Sequence, residues 1–317
     1  MSSAITLSLV LLATTGLVSL SLSGFVALAW WAGLKRTKLE SSELLILRFL
    51  PTLGGLLIAL TVILPAFLGY EPPREHEALG PLLLLLGGFS LVCLAHGTWR
   101  GWRAYAATRA LLGSCGPFGH EIVQNGREVR LLRIAQPIVA TIGAWRPRIV
   151  AADEVRSACS QDEFQQVVAH EIAHIRAHDN LKLLLLMSVP DLLAWTRLDV
   201  DLASRWQTAA EHEADQRAAG NDPHLRVALA SALIKAARLS AGSHHTVDPL
   251  ARHTLTLQAA IDDVASRVRE LLAPPAPPVP SVRVLLVTLC TLLIPAVGYP
   301  FHELVHELIE ALVGFGL

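Results

Sequence analysis

The stretch His170-Glu171-Ile172-Ala173-His174 lies near the middle of the chain and has the spacing of a metal site. On a helix, residues four apart lie on the same face, so the rings of His170 and His174 can point at one position. Two imidazoles at this spacing suit a zinc ion, and Glu171 can reach a water on the open side of that ion. The pattern fixes only three positions and also arises by chance, so its surroundings have to support a metal site.

The residues before this stretch predict that it lies in the middle of a helix. Ser160 and Glu163 have the spacing of a capping box, in which each side chain accepts a hydrogen bond from the other residue's backbone. Apolar residues then recur at helical spacing and predict a buried flank. They are Phe164, Val167, Val168, Ile172 and Ile175.

A second helical stretch, residues 207–219, offers a third metal ligand. Glutamate is a common third ligand of zinc and leaves the fourth position to water. Glu211 is the first choice, because Asp215 lies one turn further on and could hydrogen-bond a ligand histidine. Glu213 is the alternative ligand, and a solvated charged helix is the alternative to any metal site.

Three segments resemble the peptidase domain of the BlaR/MecR-type membrane metallopeptidases. They are GAWRPRIV (143–150), DEF (162–164) and HEIAHIRAHDN (170–180). The resemblance covers roughly residues 105–275 and includes the order of the membrane segments, while EHEAD (211–215) also resembles the HtpX and prenyl-protease family. It implies a zinc metalloendopeptidase of the gluzincin type with one Zn²⁺ per chain. His253 and Arg267 fall where related enzymes place a late His or Arg, which makes them candidates to stabilise the oxyanion.

The composition indicates a membrane protein. Hydrophobic residues make up 52% of the 317 residues and charged residues only 17%, which is too apolar for an ordinary soluble protein. The net charge of −1 gives no sign of a nucleic-acid partner, so the lipid bilayer and a protein or peptide substrate are the expected partners. The four cysteines lack metal or redox spacing and are expected to be free thiols.

Apolar runs predict about four transmembrane helices. They cover about residues 5–33, 44–70, 78–98 and 282–300. Basic residues follow the first and third runs, and they are Lys35, Arg36, Lys38, Arg100, Arg103 and Arg109. The positive-inside rule then places both termini outside and the zinc domain in the cytoplasm, with the chain in the inner (cytoplasmic) membrane.

The expected fold is therefore an α-helical membrane protein with an inserted α+β zincin-like metallopeptidase domain. Residues 1–103 hold three spans and residues 104–272 form the peptidase domain. A Pro-rich linker, 273–281, leads to the fourth span, and residues 301–317 form a short amphipathic tail. Within the peptidase domain, residues 121–133 read as a hairpin with a tight turn at Asn125-Gly126. Residues 137–141 and 148–151 read as further strands.

Two further stretches have more than one interpretation. The apolar residues 181–187 are either a buried helical segment or a surface that rests on the membrane. His302-Glu303-Leu304-Val305-His306 repeats the metal-site pattern, but no separate glutamate segment follows it. We interpret it as part of an amphipathic interfacial helix that could bind metal weakly.

Three classes of function fit these features. The first is regulatory proteolysis of a cytoplasmic transcriptional repressor, or of the chain itself. No penicillin-binding sensor follows the fourth span, so β-lactam sensing by this chain alone is not expected. The second is an HtpX-like quality-control protease for membrane proteins, and the third is a non-catalytic zinc-binding membrane sensor. The sequence does not define the oligomeric state.

Overall fold

The computed structural model describes residues 3–70, 80–114, 119–133, 137–242 and 257–273. The linker after Ala273, the expected fourth span, the amphipathic tail and the second histidine motif lie outside the described residues, as does His253. The chain divides into two compact units. Unit 1 comprises Met1–Trp102, Leu185–Trp206 and Pro280–Leu317, and unit 2 comprises Arg103–Leu184 and Gln207–Val279.

Long apolar helices dominate the described part of unit 1. They are α1 (Ser3–Ala32), α2 (Ser41–Ile58), α3 (Leu64–Tyr70) and α4 (Pro81–Ser114), whose last residues belong to unit 2. A five-residue π-helical segment, Ala59–Ile63, joins α2 to α3 just before Pro65, where the proline lacks a backbone N–H. Three helical segments are long and apolar enough to cross a membrane: Ala4–Ala32, Ser41–Leu68 and Pro81–Ala110. The third helix thus continues well beyond the apolar run that ends near Thr98.

Small residues let α1 and α2 approach closely. A side chain at Gly55 would bring its Cβ to 2.7 Å from the backbone oxygen of Thr15, a separation that only glycine permits here. Small residues at helix crossings are typical of membrane proteins, because van der Waals contact is a main source of association between helices in lipid. The close approach of α1 and α2 at this point therefore requires glycine at position 55.

Unit 1 contains a buried ion-pair network that involves residues 185–206. Nε of Arg48 on α2 lies 2.7 Å from Asp199, and its Nη1 lies 2.7 Å from Asp191. Nη2 of Arg100 on α4 lies 2.6 Å from the other oxygen of Asp199. The Arg48 side chain is only 1% exposed, so its ion pairs have to offset the free-energy cost of removing its charge from water. This network joins two candidate spans to the segment that precedes the metal-ligating part of unit 2.

Unit 2 combines a small sheet with six helices among the described residues. The strands are β1 (Gly119–Gln124), β2 (Arg127–Leu132), β3 (Val139–Ile142) and β4 (Arg148–Ala152). The helices are α5 (Asp153–Ala158), α6 (Gln161–Ala177), α7 (Asp179–Ser188), α8 (Arg197–Ala219), α9 (Pro223–Gly242) and α10 (Leu257–Leu272). The border between the units passes through α7 and α8. The chain is thus mostly helical, with candidate membrane-spanning helices and a small sheet domain.

The sheet has the order β1-β2-β4-β3, so β1 and β3 are its edge strands. The predicted hairpin is confirmed, because β1 pairs with β2 in antiparallel register. Asn125 and Gly126 both have positive φ, as a two-residue hairpin turn with the twist of the strands requires. β2 pairs with β4 in parallel and β3 pairs with β4 antiparallel, an arrangement that leaves β3 as the edge nearest α6.

Helix α6 packs on one face of the sheet. The predicted capping box is confirmed: Glu163 N donates to Ser160 Oγ at 3.2 Å, and Ser160 N donates to Glu163 Oε2 at 2.7 Å. The predicted apolar flank is also confirmed, since Phe164 and Val168 are fully buried against the strands. The helix ends at His178, whose backbone takes the left-handed conformation that closes many helices. Residues 181–187 therefore belong to the separate helix α7.

Candidate metal centre

The structure brings together the two histidines on the buried side of α6. Nε2 of His170 lies 3.1 Å from Nε2 of His174, and the rings meet edge to face. The side chains are 8% and 12% exposed. The apolar flank of α6 is buried against the sheet, which fixes the rotation of the helix about its axis. Both histidine rings therefore lie on the same side of α6, outside the hydrophobic core that the flank forms with the strands.

Glu211 on α8 completes a group of three. Its two carboxylate oxygens lie 3.3 Å from Nε2 of His170 and 3.4 Å from Nε2 of His174. Helix α8 begins at Arg197, ten residues before the stretch that the sequence pattern indicated, and Ala210 and Ala214 provide its buried side. Glu213 instead forms an ion pair with Arg217, one turn further on, and lies outside this group.

The donor set fits a zinc ion in chemistry and in spacing. His170, His174 and Glu211 each offer one atom, and these atoms lie within 4.8 Å of one another. Zinc bonds of about 2.0–2.1 Å in tetrahedral geometry would place neighbouring ligand atoms about 3.3 Å apart. The observed separations of 3.1, 3.3 and 3.4 Å bracket that value. Two imidazoles with one carboxylate leave a fourth position for water or substrate.

A carboxylate contacts the remaining nitrogen of each histidine. Oδ1 of Asp215 lies 2.8 Å from Nδ1 of His170, and Oδ2 of Asp179 lies 2.8 Å from Nδ1 of His174. Lys182 in turn lies 3.1 Å from the other oxygen of Asp179. At His174 the contact is a hydrogen bond, and a proton on Nδ1 held by Asp179 leaves the Nε2 lone pair free for a metal. At His170 the contact places the negative charge of Asp215 next to Nδ1.

The carboxylates set the charge state of the histidines when no metal is bound. Burial lowers the pKa of His174, but hydrogen bonds with Asp179 and Glu211 outweigh burial and raise this pKa to about 10. The pKa of His170 also rises, because Asp215 and Glu211 outweigh the effect of its burial. Burial raises the pKa of Glu211, but both histidines hold it well below its ordinary value. A metal that binds here therefore has to displace the Nε2 protons of the two histidines, while Glu211 already carries the negative charge that a cation needs.

Glu171 is buried beside the histidines and is oriented by the edge strand β3. Oγ1 of Thr141 donates to Oε2 of Glu171 at 2.8 Å. Burial raises the pKa of the Glu171 carboxyl, and this effect exceeds the lowering by the two histidines and Thr141. A carboxylate with a raised pKa accepts and releases a proton more readily near neutral pH, which suits a general base.

Arg267 on α10 lies behind Glu211 and Asp215. Its Nη1 is 2.8 Å from Glu211 Oε2, and its Nη2 and Nε are 2.7 and 2.8 Å from the two oxygens of Asp215. The guanidinium thus donates to two carboxylates, and both of these carboxylates face the histidines. The structure brings this residue to the site, whereas His253, the other candidate for the oxyanion, lies outside the described residues.

Residues 120–262 match the protein-family model described as BlaR1 peptidase M56. The resemblance to the BlaR/MecR-type peptidases is confirmed. The BlaR1-type segment contains His170, Glu171, His174, Glu211 and Asp215, while Arg267 lies just beyond it. Together with the three apolar helices, the match indicates a membrane-associated metallopeptidase. Neither the search of curated proteins nor the search of solved structures returned a match.

Three residues that support the site, Asp179, Thr141 and Asn180, were not predicted from the sequence. Asp179 follows directly after the helix end at His178, and the Asp-Asn pair at 179–180 was its only signal. Thr141 had no signal, because its contact with Glu171 crosses from β3 to α6. Asn180 also supports the site: its side-chain amide donates to the backbone oxygens of Thr141 and Gly143 at 2.8 and 3.1 Å.

Proposed function

We propose that the chain is a membrane-embedded zinc endopeptidase that cleaves a cytoplasmic repressor protein, or itself, as part of a signalling response. The observation that carries the proposal is the convergence of His170, His174 and Glu211 beside a buried, oriented Glu171. The match of residues 120–262 to the BlaR1-type family supports the regulatory role. The basic residues after the first and third spans support a cytoplasmic location for the zinc domain.

The proposed chemistry is hydrolysis of a peptide bond. Zinc held by His170, His174 and Glu211 would supply Lewis acidity, lowering the pKa of a coordinated water to about 7 and polarising the scissile carbonyl. Glu171 takes one proton from the attacking water and passes it to the leaving nitrogen. The water's second proton is lost by the new carboxyl group and taken up by the amine, so that the products are a carboxylate and an ammonium group. The hydrogen bond from Thr141 fixes the orientation of the Glu171 carboxylate for both transfers.

The surrounding carboxylates and Arg267 act by positioning the three ligands. Asp215 and Asp179 hold the imidazoles with Nε2 toward the metal. Arg267 pairs with both Glu211 and Asp215, so it keeps the third ligand from turning toward solvent and offsets part of the negative charge. This assignment makes Arg267 a positioning residue, and a donor for the oxyanion has to come from elsewhere in the site.

The burial of Glu171 and its hydrogen bond with Thr141 favour a catalytic role over that of a zinc-binding sensor. A structural zinc site has no need of a fourth buried carboxylate held by Thr141 next to the ligands. Regulatory cleavage is favoured over HtpX-like quality control by the family that residues 120–262 match. These two functions differ in substrate range and can be separated by experiment.

The test compares the wild-type chain with Glu171→Gln in detergent and in cells. Both proteins should contain about one zinc per chain, and only the wild type should cut protein. In cells, new peptide termini that depend on Glu171 should fall in one DNA-binding repressor or in the chain itself. Termini spread over many membrane proteins would favour quality control. A Glu171→Gln variant that cuts at the wild-type rate would rule out the mechanism.

A further inference from the structure

A cleft of about 470 Å³ lies beside the metal centre, within unit 2. His174 lines it at one end, together with Asp179 and Asn180 from the start of α7. The loop between β3 and β4, residues 143–148, lines the other side. His174 is both a proposed zinc ligand and part of this wall, and Thr141, which holds Glu171, also lines it, so the cleft adjoins the proposed metal site.

The loop that lines the cleft is held in place. Gly143 has φ +105°, and a Cβ there would lie 3.0 Å from the backbone oxygen of Arg146, so only glycine fits this bend. The side-chain amide of Asn180 donates to the backbone oxygens of Thr141 and Gly143, which fastens the start of the loop to α7. The side chains on the loop are thus presented from a fixed backbone.

Three arginines line the cleft, and they are Arg127, Arg146 and Arg148. All three are exposed, and none of them forms an ion pair within the part of the chain that the structure describes. Asp179, the one acidic residue in the cleft wall among the described residues, already contacts His174 and Lys182. Among the described residues, the wall of the cleft therefore carries more positive than negative side-chain charge.

Trp145 adds an apolar surface next to these charges. Its side chain lies on the same loop and lines the cleft, yet it is 70% exposed. Tryptophan and arginine are both enriched at binding surfaces and among the residues whose loss weakens binding most. Arginine also binds carboxylates through two parallel hydrogen bonds, which gives direction as well as charge.

We propose that this cleft binds an acidic segment of the substrate polypeptide next to the bond that is cleaved. Arg127, Arg146 and Arg148 pair with Asp or Glu side chains, and Trp145 packs against the intervening chain. The inference rests on the proposed peptidase function and adds a substrate class to it: polypeptides with carboxylates within a few residues of the cleaved bond.

The test measures binding separately from cleavage. Two fluorescent peptides, identical except for Glu or Gln at the same positions, are titrated with the full-length Glu171→Gln protein in detergent, and anisotropy is recorded. We expect the acidic peptide to bind about five- to tenfold more tightly at low salt, with the difference shrinking as salt screens the pairs. Arg146→Glu combined with Arg148→Glu should remove or reverse the preference.

Two controls make the outcome decisive. Arg238→Glu changes an exposed arginine on α9 that does not line the cleft, and it should leave the preference unchanged. Zinc content checks that the loop variants keep the metal centre, and Arg146→Gln with Arg148→Gln serves if the charge reversal prevents folding. Equal affinity for both peptides, or the same loss of preference in Arg238→Glu, would overturn the inference. Binding of the loop variants to anionic vesicles is measured in parallel. Variants that lose vesicle binding but keep the preference for the acidic peptide would overturn the inference as well.

Cleavage of a peptide library by the wild-type chain then separates the two proposals. Carboxylates should be enriched near the cleaved bond, and the loop variants should lose this enrichment. Cleavage that depends on Glu171 but shows no such enrichment would contradict the acidic-substrate proposal and leave the peptidase function standing. Absence of any cleavage together with an acidic preference in binding would contradict the peptidase function alone.

Discussion

Oδ2 of Asp179 lies 2.8 Å from Nδ1 of His174, although the two residues belong to different helices. His178 between them takes a left-handed backbone conformation, which ends α6 and turns the chain so that Asp179 faces back toward the histidine. The contact mirrors that of Asp215 with His170. Both proposed histidine ligands thus have a carboxylate on the nitrogen that faces away from the metal.

Asp179→Asn is expected to weaken zinc binding by about 10- to 100-fold, the usual effect of losing a carboxylate behind a ligand histidine. The amide keeps the size of the side chain but loses its charge. Competition with a chelator measures the zinc affinity of the purified chain. Asp162→Asn, at an exposed position in the first turn of α6, is the matched control and should bind zinc like the wild type. Equal affinities in all three proteins would show that Asp179 does not tune the site.

Glu211→Gln is expected to reduce bound zinc far more than Glu213→Gln. Glu211 faces both histidines, whereas Glu213 faces Arg217 on the outer side of α8. Metal analysis of the purified chain, with His170→Ala as the zinc-free reference, distinguishes the two residues. Loss of zinc in Glu213→Gln with retention in Glu211→Gln would transfer the third ligand to Glu213.

The free energy of unfolding should depend on pH through Glu163, which caps α6. Burial raises the pKa of this carboxyl, but Lys235, Ser231 and the backbone of Ser160 together lower it from 4.5 to about 2. A depressed pKa stabilises the fold above the unfolded-state value, and this stability disappears as the pH falls from about 4.5 to about 2. The side chain is 11% exposed, and the shift corresponds to an upper limit on the order of 3 kcal/mol.

Thermal melting of wild type and Glu163→Gln should therefore differ most near neutral pH. The two melting temperatures should converge as the pH falls below about 4.5, since the wild-type carboxyl then becomes neutral as well. Asp162→Asn again provides the control for a change of charge at the start of α6. A difference that stays constant down to pH 2 would mean that charge at Glu163 contributes no stability.

Arg48→Met is expected to destabilise the chain strongly, because it leaves Asp191 and Asp199 buried with fewer partners. Removing one member of a buried ion pair typically costs about 3–5 kcal/mol. Melting in detergent measures the effect, and Arg109→Met, at an exposed position on the same kind of long helix, is the control. Combining Arg48→Met with Asp191→Asn and Asp199→Asn should recover part of the loss. A melting temperature equal to that of the wild type would show that the pairs carry no stability.

Local sequence patterns were sufficient for several elements of this protein. The hairpin turn at Asn125-Gly126 and the capping box of Ser160 and Glu163 depend only on residues a few positions apart. The spacing of these residues predicts the turn and the capping box, and the structure confirms both elements. The spacing of His170 and His174 on one helix face is of the same kind, since a helix fixes the direction of side chains four residues apart.

Tertiary structure alone decided the contacts between distant segments. Helix α8 brings Glu211, rather than Glu213, to the histidines because the Ala210 and Ala214 side of the helix is buried. No local pattern predicts that Thr141 reaches Glu171, that Arg267 turns to Glu211 and Asp215, or that Arg48 meets Asp191 and Asp199. The paired side chains are from 30 to 151 residues apart in the sequence. Their contacts depend on helix rotation and strand order, which are fixed only when the apolar faces are buried together.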